Sequence, residues 1–139
     1  RFEAANAGVA ITTDVPQGVV AFADQNQIKQ VLINLMLNAI EAMPGPGSIH
    51  IEASSNGRGS VTIAVSDSGS GIAKEDLKRV FEPFFTRKPK GTGLGLPVSY
   101  RLMQENEGDL RVESLIGQGT TVTLELPAGQ LAGGEVSSR

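Results

Sequence analysis

Period-two alternation of apolar and polar residues constrains the fold of this chain more than any other feature. Segments 48–55 and 60–67 alternate in this way on either side of an Asn-Gly-Arg-Gly turn, and segments 109–114 and 120–127 do so across a Gly-Gln-Gly turn. Each pair predicts antiparallel strands with one buried and one solvent-facing side. A sheet that is apolar on one face must be covered there by helices.

The clearest helix follows Asp24, a good N-cap, with Gln27 three residues later as in a loose capping box. Apolar residues then recur at helical spacing, at Ile28, Val31, Leu32, Leu35, Met36 and Ala39. The helix must end at the PGPG sequence of 44–47, because proline and glycine do not continue it.

Two shorter helices are predicted over 73–81 and 96–108. Pro97 is tolerated only in a first turn, so the second of these helices should begin near Gly95. Its expected end is Gly108, since glycine commonly terminates helices.

Strands are also predicted over 8–15 and 19–24, ahead of the first helix. Together the elements indicate an α+β fold, a two-layer sandwich whose mixed, mostly antiparallel sheet carries its helices on one face. Residues 1–127 are expected to form a single domain, and the small, polar residues 128–139 a flexible tail.

Composition excludes several classes of function. The net charge of -3 argues against a dedicated nucleic-acid surface or an anionic-membrane surface, and the chain has no cysteine and only one histidine for a metal site. No apolar run reaches membrane-spanning length. We therefore expect a soluble, cytoplasmic domain that contacts neither nucleic acid nor membrane.

Two asparagines, Asn34 and Asn38, lie one turn apart within the first helix. One interpretation is a polar stripe that faces solvent. The other is a pair of directed amide contacts, because asparagine is a poor helix former and an unusual choice for a wet face.

Two glycine-rich loops each precede a helix. In SDSGSGI, Asp67 ends a strand before Gly69 and Gly71, and in GTGLGL three glycines lead into the helix at Gly95. Main-chain N–H groups and a helix dipole at such a place favour an anion. Neither loop has the spacing of a dinucleotide-binding or P-loop motif, so those folds are disfavoured.

Five motifs in order resemble those of a known family. NLMLNAIEA, DSGSGI, FEPFF, GTGLGL and GQGT resemble the N box, first glycine box, F box, second glycine box and closing glycine motif of histidine-kinase catalytic domains, which belong to the Bergerat-type ATP-binding family. The resemblance extends over residues 8–127. It implies the Bergerat fold, with ATP and Mg²⁺ as ligands.

For the base, the resemblance implies that Asp67 accepts a hydrogen bond from the exocyclic amine of adenine and that Thr120 supports it. Gly69 and Gly71 would let the backbone pass under the base. The resemblance also implies nucleotide contacts for other residues of these motifs, which are Ile72, Phe84, Thr92, Leu94 and Leu96.

For the phosphates, the resemblance makes the side-chain oxygen of Asn38 a ligand of Mg²⁺. The main chain would approach the phosphates at Gly91, Gly93 and Gly95. The cations that could meet the γ-phosphate are Arg87, Lys88 and Lys90, of which the first two are our catalytic candidates together with Asn34.

Asn34 matches a position that holds a water-activating glutamate in the hydrolysing members of the family. An amide does not take up a proton near neutral pH, so the sequence predicts a kinase and not an ATPase. The acceptor would be a histidine on a separate dimerisation domain of a two-component sensor kinase, with a response regulator downstream.

No acceptor segment precedes residue 8, and His50 is on a hairpin strand. We therefore expect a catalytic domain cut from a longer kinase, which could be anchored in a membrane. The fragment should bind ATP or ADP but be inactive as an autokinase. Two alternatives remain open at this point, a nucleotide-dependent interaction module and an anti-sigma-type serine kinase of the same family.

Overall fold

A computed structural model describes residues 8–43, 45–85 and 95–129. Within these ranges the strands are β1 (Val9–Asp14), β2 (Gly47–Ser55), β3 (Ser60–Asp67), β4 (Asp109–Leu115) and β5 (Gly119–Pro127). The helices of the same ranges are α1 (Gln25–Glu41), α2 (Lys74–Leu77) and α3 (Gly95–Glu105).

The strands form one five-stranded sheet in the order β1-β2-β3-β5-β4. β1 runs parallel to β2, and every other neighbouring pair is antiparallel. This mixed, mostly antiparallel sheet confirms the predicted α+β class. The β3–β5 pairing joins strands that are far apart in the chain, and it places the end of β3 beside the start of β5.

The core lies between one face of the sheet and the helices α1 and α3. It includes Val31, Leu35, Ala39, Ile49, Val65, Leu102, Met103, Val122, Leu124 and Leu126. The opposite face is polar, with a hydroxyl pair between Ser66 and Thr121 at 2.9 Å and an ion pair between Arg111 and Glu125 at 3.1 Å. The one-sided alternation of the sequence is thereby explained.

Two predicted elements differ from the structure. Segment 19–24 is not a strand: within it only Ala21 forms an isolated antiparallel bridge, to Ala128. The N-cap of α1 follows at Asp24 and leaves too little chain for a ladder. The helix predicted over 73–81 ends at Leu77, because the chain then changes to turns closed by i→i−3 hydrogen bonds, such as that from the Arg79 N–H to the Asp76 carbonyl at 2.8 Å.

The first residues of the predicted tail are attached to the domain. The Ala128 N–H donates to the Gly59 carbonyl at 2.8 Å, and the Gly129 N–H donates to the Val20 carbonyl at 2.7 Å. The remainder of the predicted tail, residues 130–139, lies outside the described residues.

Both long helices have well-defined ends. Asp24 caps α1 as predicted, with its Oδ1 accepting from the Gln27 N–H at 3.0 Å. α3 ends in a Schellman motif in which Glu107, at φ 60°, occupies the left-handed position usually taken by glycine. Gly108 follows it, and its N–H donates to the Met103 carbonyl at 2.8 Å.

Candidate functional site

A row of polar residues crosses the helix-covered face of the sheet at one end. Asp67 on β3 is opposite Thr120 on β5, which in turn is opposite Ser114 on β4. One pleat further along these strands, the same face carries Val65, Val122 and Val112. We call Asp67, Thr120 and Ser114 the polar row. Polar groups at the end of an apolar face are the arrangement expected of a binding site.

The main chain holds the Asp67 carboxylate. Its Oδ1 accepts from the Gly69 N–H at 2.8 Å and from the Thr120 N–H at 3.3 Å. Hydrogen bonds to a charged acceptor are among the stronger ones in proteins. Asp67 and Thr120, assigned to one site from the sequence, are thus adjacent, and the backbone orients the carboxylate.

The loop after Asp67 packs against the end of α1. The Ser70 N–H donates to the Ala42 carbonyl at 3.0 Å. A Cβ on Gly69 would lie 2.7 Å from the same carbonyl oxygen and 2.9 Å from Asp67 Oδ1, so only glycine fits there. Gly71 has φ +79°, and a Cβ on it would overlap the Leu115 carbonyl.

Ser114 joins three parts of this region. Its Oγ accepts from the Ile72 N–H at 2.7 Å, donates to the Gly119 carbonyl at 2.8 Å and contacts Thr120 Oγ1 at 2.8 Å. We did not predict this residue from the sequence. A signal exists in the alternation of Leu110, Val112 and Ser114, where a hydroxyl continues the buried face of β4.

The polar stripe of α1 packs against α3. Contacts along its length connect it to α3 and to the residue after α3: Asn106 Nδ2 donates to Gln27 Oε1 at 2.8 Å, Asn34 Nδ2 donates to Ser99 Oγ at 3.4 Å, and Gly95 lies against the Asn38 side chain. We call these contacts the helix seam. The helices run antiparallel in constant register, because each step forward on α1 matches an equal step back on α3.

For Asn34, the seam decides between the two interpretations of the stripe. Its Nδ2 donates to Ser99, and its Oδ1 accepts from Gln30 Nε2 at 3.0 Å. Ser99 is fully buried. Both polar ends of the Asn34 amide are therefore in directed contacts, which contradicts a stripe that simply faces solvent.

Asn38 lies where the helix seam approaches the loop after Asp67. A Cβ on Gly95 would be 3.2 Å from Asn38 Nδ2 and 3.3 Å from its Oδ1, so the first residue of α3 is directly beside this amide. One turn later, directly after α1, comes Ala42, whose N–H donates to the Asn38 carbonyl at 3.0 Å. Ala42 is the residue that the loop of Gly69 contacts, so seam and polar row are linked through the end of α1.

Asn106 was also missed from the sequence. It is fully buried, accepts from the Asp24 N–H at 2.7 Å and donates to the Leu102 carbonyl at 2.8 Å, in addition to its bond with Gln27. The signal was present in its spacing from the buried residues Ser99, Leu102 and Met103, which share one face of α3.

Residues 23–130 match a family described as "Histidine kinase-, DNA gyrase B-, and HSP90-like ATPase". The chain belongs to this family. It is a histidine-kinase-type ATP-binding catalytic domain, the class that its relatives and structural neighbours share.

Three comparisons describe this likeness. The sensor histidine kinase ZraS of Escherichia coli O157:H7 is 48% identical over 105 residues, which are 76% of this chain and 23% of the relative. The nucleotide-free catalytic domain of the histidine kinase ThkA is 33% identical, with a TM-score of 0.78 over 91% of this chain and 84% of that one. Full-length ShkA in complex with AMPPNP is 30% identical, with a TM-score of 0.81 over 94% of this chain and 28% of that one.

The chain spans only a part of its curated relatives. Among the first of them the matched share ranges from 15% of sporulation kinase E to 28% of sporulation kinase B, both of Bacillus subtilis (strain 168). Over the residues that the structure describes, no helix has the length and apolar character needed to cross a membrane.

Several predicted site residues of this histidine-kinase-type domain lie outside the described residues. They are Arg87, Lys88, Lys90, Gly91, Thr92, Gly93 and Leu94. Of the others, Ile72 is half-buried with its N–H bound to Ser114, and Leu96 packs against the core.

Phe84 differs from the other predicted nucleotide contacts. It is 74% exposed and has φ 68°. Phe81, from the same FEPFF motif, packs against the core instead, with its ring centroid 5.1 Å from that of Tyr100 on α3. The sequence motif does not separate these roles, because both residues are phenylalanines in an irregular segment.

The donor chemistry around Asn38 fits a magnesium ion held largely by phosphates. In the described part of the chain no three His, Cys, Asp or Glu side chains cluster as a metal site would require. A single amide oxygen beside the start of α3 suits Mg²⁺, which is commonly bound through a few protein oxygens, water and substrate phosphates. The role of Asn38 as its ligand is part of the function proposed below.

Proposed function

We propose that this domain transfers the γ-phosphoryl group of ATP to a histidine on a separate dimerisation domain of a longer sensor kinase. One observation carries the proposal: the Asp67 carboxylate is held by two main-chain N–H groups at the end of the polar row. Asn38 and the start of α3 lie across the end of α1 from it. In this proposal a base-recognising acid and a phosphate-binding helix end share one side of the domain.

Asp67 is proposed to select adenine. A carboxylate only accepts hydrogen bonds, and the exocyclic amine of adenine donates them. Guanine presents a carbonyl oxygen at that position. This oxygen and the Asp67 carboxylate are both acceptors, so neither would receive a hydrogen bond from the other. Gly69 and Gly71 carry no side chain that could obstruct the base beside this carboxylate, and Ile72 supplies an apolar contact for the base.

Asn38 and the start of α3 are proposed to bind the phosphates. The N-terminus of a helix attracts anions through its unpaired N–H groups and its dipole, and α3 begins at Gly95 beside Asn38. Mg²⁺, when bound, neutralises phosphate charge. We propose Arg87 and Lys88 for the γ-phosphate, with Gly91, Thr92, Gly93, Leu94, Leu96, Phe84 and Thr120 completing the nucleotide site.

The proposed reaction needs no base from Asn34. A neutral imidazole nitrogen of the acceptor attacks the γ-phosphorus with its lone pair, an N–P bond forms, the bond to the bridging β–γ oxygen breaks, and ADP leaves. Asn34 is an amide whose two polar ends contact Ser99 and Gln30. It positions α3 and does not activate water, so hydrolysis should be slow.

The wider setting of the reaction is part of the proposal. The acceptor domain belongs to the parent kinase, a response regulator takes the phosphoryl group onward, and the reaction occurs in the cytoplasm. We propose that His50, on the hairpin strand β2 and in contact with Thr12 Oγ1 at 2.7 Å, is not the acceptor, so the fragment alone should be inactive as an autokinase.

Calorimetric titration with ATP and Mg²⁺ tests the central assignment. We expect Asp67→Asn to weaken binding by about a hundredfold or more, because a charge-assisted hydrogen bond is worth about 1.5–3 kcal/mol and the amide also introduces a misplaced donor. Asp14→Asn, at an exposed position on β1, is the matched control and should bind like the parent. Equal affinity in both variants would remove the role of Asp67.

Phosphotransfer is tested by adding a separately prepared dimerisation domain and γ-labelled ATP. The expected product is acid-labile phosphohistidine on that domain. Binding of ATP without any labelled product would favour the nucleotide-dependent interaction module, and acid-stable phosphoserine would favour a serine kinase.

A further inference from the structure

We infer that the outer edge of β1 pairs with the same strand of a second copy of this chain, so that the two sheets join into one continuous sheet. The inference does not involve the nucleotide site and goes beyond the proposed function. It rests on three features of β1, which are its position at an open edge, its uncharged stretch 9–13, and the match of this stretch with itself.

The outer side of β1 is open in the part of the chain that the structure describes. There its neighbour in the sheet is β2 alone, joined to it by an unbroken parallel ladder from Val9 to Asp14. No main-chain hydrogen bond among the described residues reaches the outer side of this ladder. Every second residue of an edge strand directs its N–H and C=O groups outward, so β1 presents donors and acceptors that fit another strand.

The opposite edge of the sheet, β4, is protected against such pairing. Arg111 and Glu113 are exposed on it, and charged side chains on an edge strand discourage a further strand. The loop after β3 covers its last residue, because a Cβ on Gly71 would overlap the Leu115 carbonyl. β1 has neither protection, since residues 9–13 contain no charge and no proline and the ladder has no bulge.

Charge and composition favour a second copy as the partner of β1. Four of the five residues 9–13 are β-branched, which suits a paired strand. The chain has a net charge of -3, so two copies that meet over an uncharged stretch avoid the like-charge repulsion of other surfaces. A positively charged partner would find only Asp14, at the end of β1.

A two-fold axis at Ile11, the middle of the uncharged stretch, matches this stretch with itself. Antiparallel pairing about the axis places Ile11 opposite its own copy and Ala10 opposite Thr12 of the second copy. Even positions then face even positions, so both helix layers lie on one side of the joined sheet and both polar faces on the other. Asp14 lies beyond the paired stretch, opposite Gly8, and meets no other charge.

Ile11 adds an apolar contact to the joined edge. It packs against the core on the helix-covered face but is only half-buried, since β1 has a neighbouring strand on one side only. In the antiparallel pair the two Ile11 side chains meet with their Cβ atoms about 4.5–5.5 Å apart. The shared surface is small, so association of free domains should be weak and should depend on concentration.

Disulfide cross-linking tests the inference. The chain has no cysteine, so a single introduced cysteine can form a disulfide only with another copy. Under mild oxidation we expect Ile11→Cys to give at least roughly fivefold more covalent dimer than Glu113→Cys, the matched control on β4, because the paired Cα atoms would be within disulfide range. A mixture of Ala10→Cys and Thr12→Cys should give more cross-linked heterodimer than either variant cross-links with itself.

A charge on the edge provides the second measurement. Ala10→Lys should reduce the covalent dimer of Ile11→Cys to the level of the control, because an edge lysine discourages pairing. Sedimentation of the parent at increasing concentration should show a dimer that Ala10→Lys lacks, with circular dichroism confirming that each variant is folded.

The inference would be wrong if folded Ile11→Cys formed no more dimer than Glu113→Cys, or if Ala10→Lys left the yield unchanged. It would also be wrong if the parent stayed monomeric at every concentration and the thiol at position 11 resisted alkylation. Another segment of the same chain would then cover the edge of β1.

Discussion

The polar row and the helix seam both connect residues that are far apart in the chain, but they do so through different kinds of hydrogen bond. In the polar row, the main-chain N–H groups of Gly69 and Thr120 donate hydrogen bonds to the Asp67 carboxylate, and the sheet register determines which residues are paired. In the seam, side-chain amides and a hydroxyl connect two helices, as in the contact of Asn34 with Ser99.

The difference has consequences for how precisely each region is positioned. A sheet register is specified by a ladder of backbone hydrogen bonds, and a slip of one residue would turn Asp67 to the opposite face. A helix pair has no such ladder, so its register depends on the few side chains that meet. We therefore expect the base side of the site to be fixed by the backbone and the phosphate side to depend on individual amides.

The largest expected effect is at the far end of the seam, in Asn106→Ala. The change removes the amide that bonds the Asp24 N–H, Gln27 Oε1 and the Leu102 carbonyl, and an unsatisfied buried group costs about 1–3 kcal/mol. The Leu102 carbonyl keeps the main-chain N–H of residue 106 at 3.2 Å, so the loss falls mainly on the part-buried Asp24 N–H and Gln27 Oε1. We expect a loss of about 3 kcal/mol in the free energy of unfolding, measured by urea denaturation. Gln104→Ala, at an exposed position on the same helix, is the control. A loss below about 1 kcal/mol would mean that amides do not hold the seam.

A smaller loss of stability is expected for Gly71→Ala beside the polar row. Alanine would have to adopt φ +79° and would press its Cβ into the Leu115 carbonyl. The conformational cost alone is about 1–2 kcal/mol, and the overlap adds to it. Gly57→Ala is a matched control, because it has φ +71° with nothing within 4 Å. If both variants lost the same free energy of unfolding, the loop of Gly71 could move away from the Leu115 carbonyl. The backbone would then not fix the position of the polar row.

Gly95→Ala should affect ligand binding more than stability. The new methyl group would lie about 3.2 Å from Asn38 Nδ2 and displace that amide, while alanine suits a helix better than glycine. We expect affinity for Mg²⁺–ATP to fall roughly fivefold and affinity for adenosine to stay unchanged, because only the phosphate side is disturbed. Gly45→Ala, with open space around it, should change neither. If the affinity for adenosine fell by the same factor, the polar row and the helix seam would not act independently in binding.

The smallest effect is expected on the wet face of the sheet, in His50→Ala. The residue is exposed and its hydrogen bond to Thr12 is accessible to water, so the change in unfolding free energy should stay within about 0.5 kcal/mol. Phosphotransfer to the separate dimerisation domain should also be unaffected. A loss of labelled product would contradict this expectation and would show that His50 takes part in phosphotransfer.

Much of the local structure could be predicted from the sequence, because its causes are local. Helical spacing and the Asp24 cap predicted α1, the turn residues predicted both hairpins, and helical spacing predicted α3. The segment 19–24 was predicted wrongly for the same reason. Its strand-like composition is local, whereas a ladder needs a partner of equal length, and only Ala21 finds one.

The site depends on contacts that no local pattern contains. Asp67 and Asn38 could be singled out by their motifs, but Ser114 and Asn106 resemble ordinary surface residues until their partners are known. The pairing of β3 with β5, and that of β5 with β4, brings residues 67, 120 and 114 into one row. The sequence by itself determined the helices, the turns and the one wet face of the sheet, since these follow from neighbouring residues. Tertiary structure alone decided which side chains form the polar row and which helix residues face each other in the seam, because long-range contacts set both.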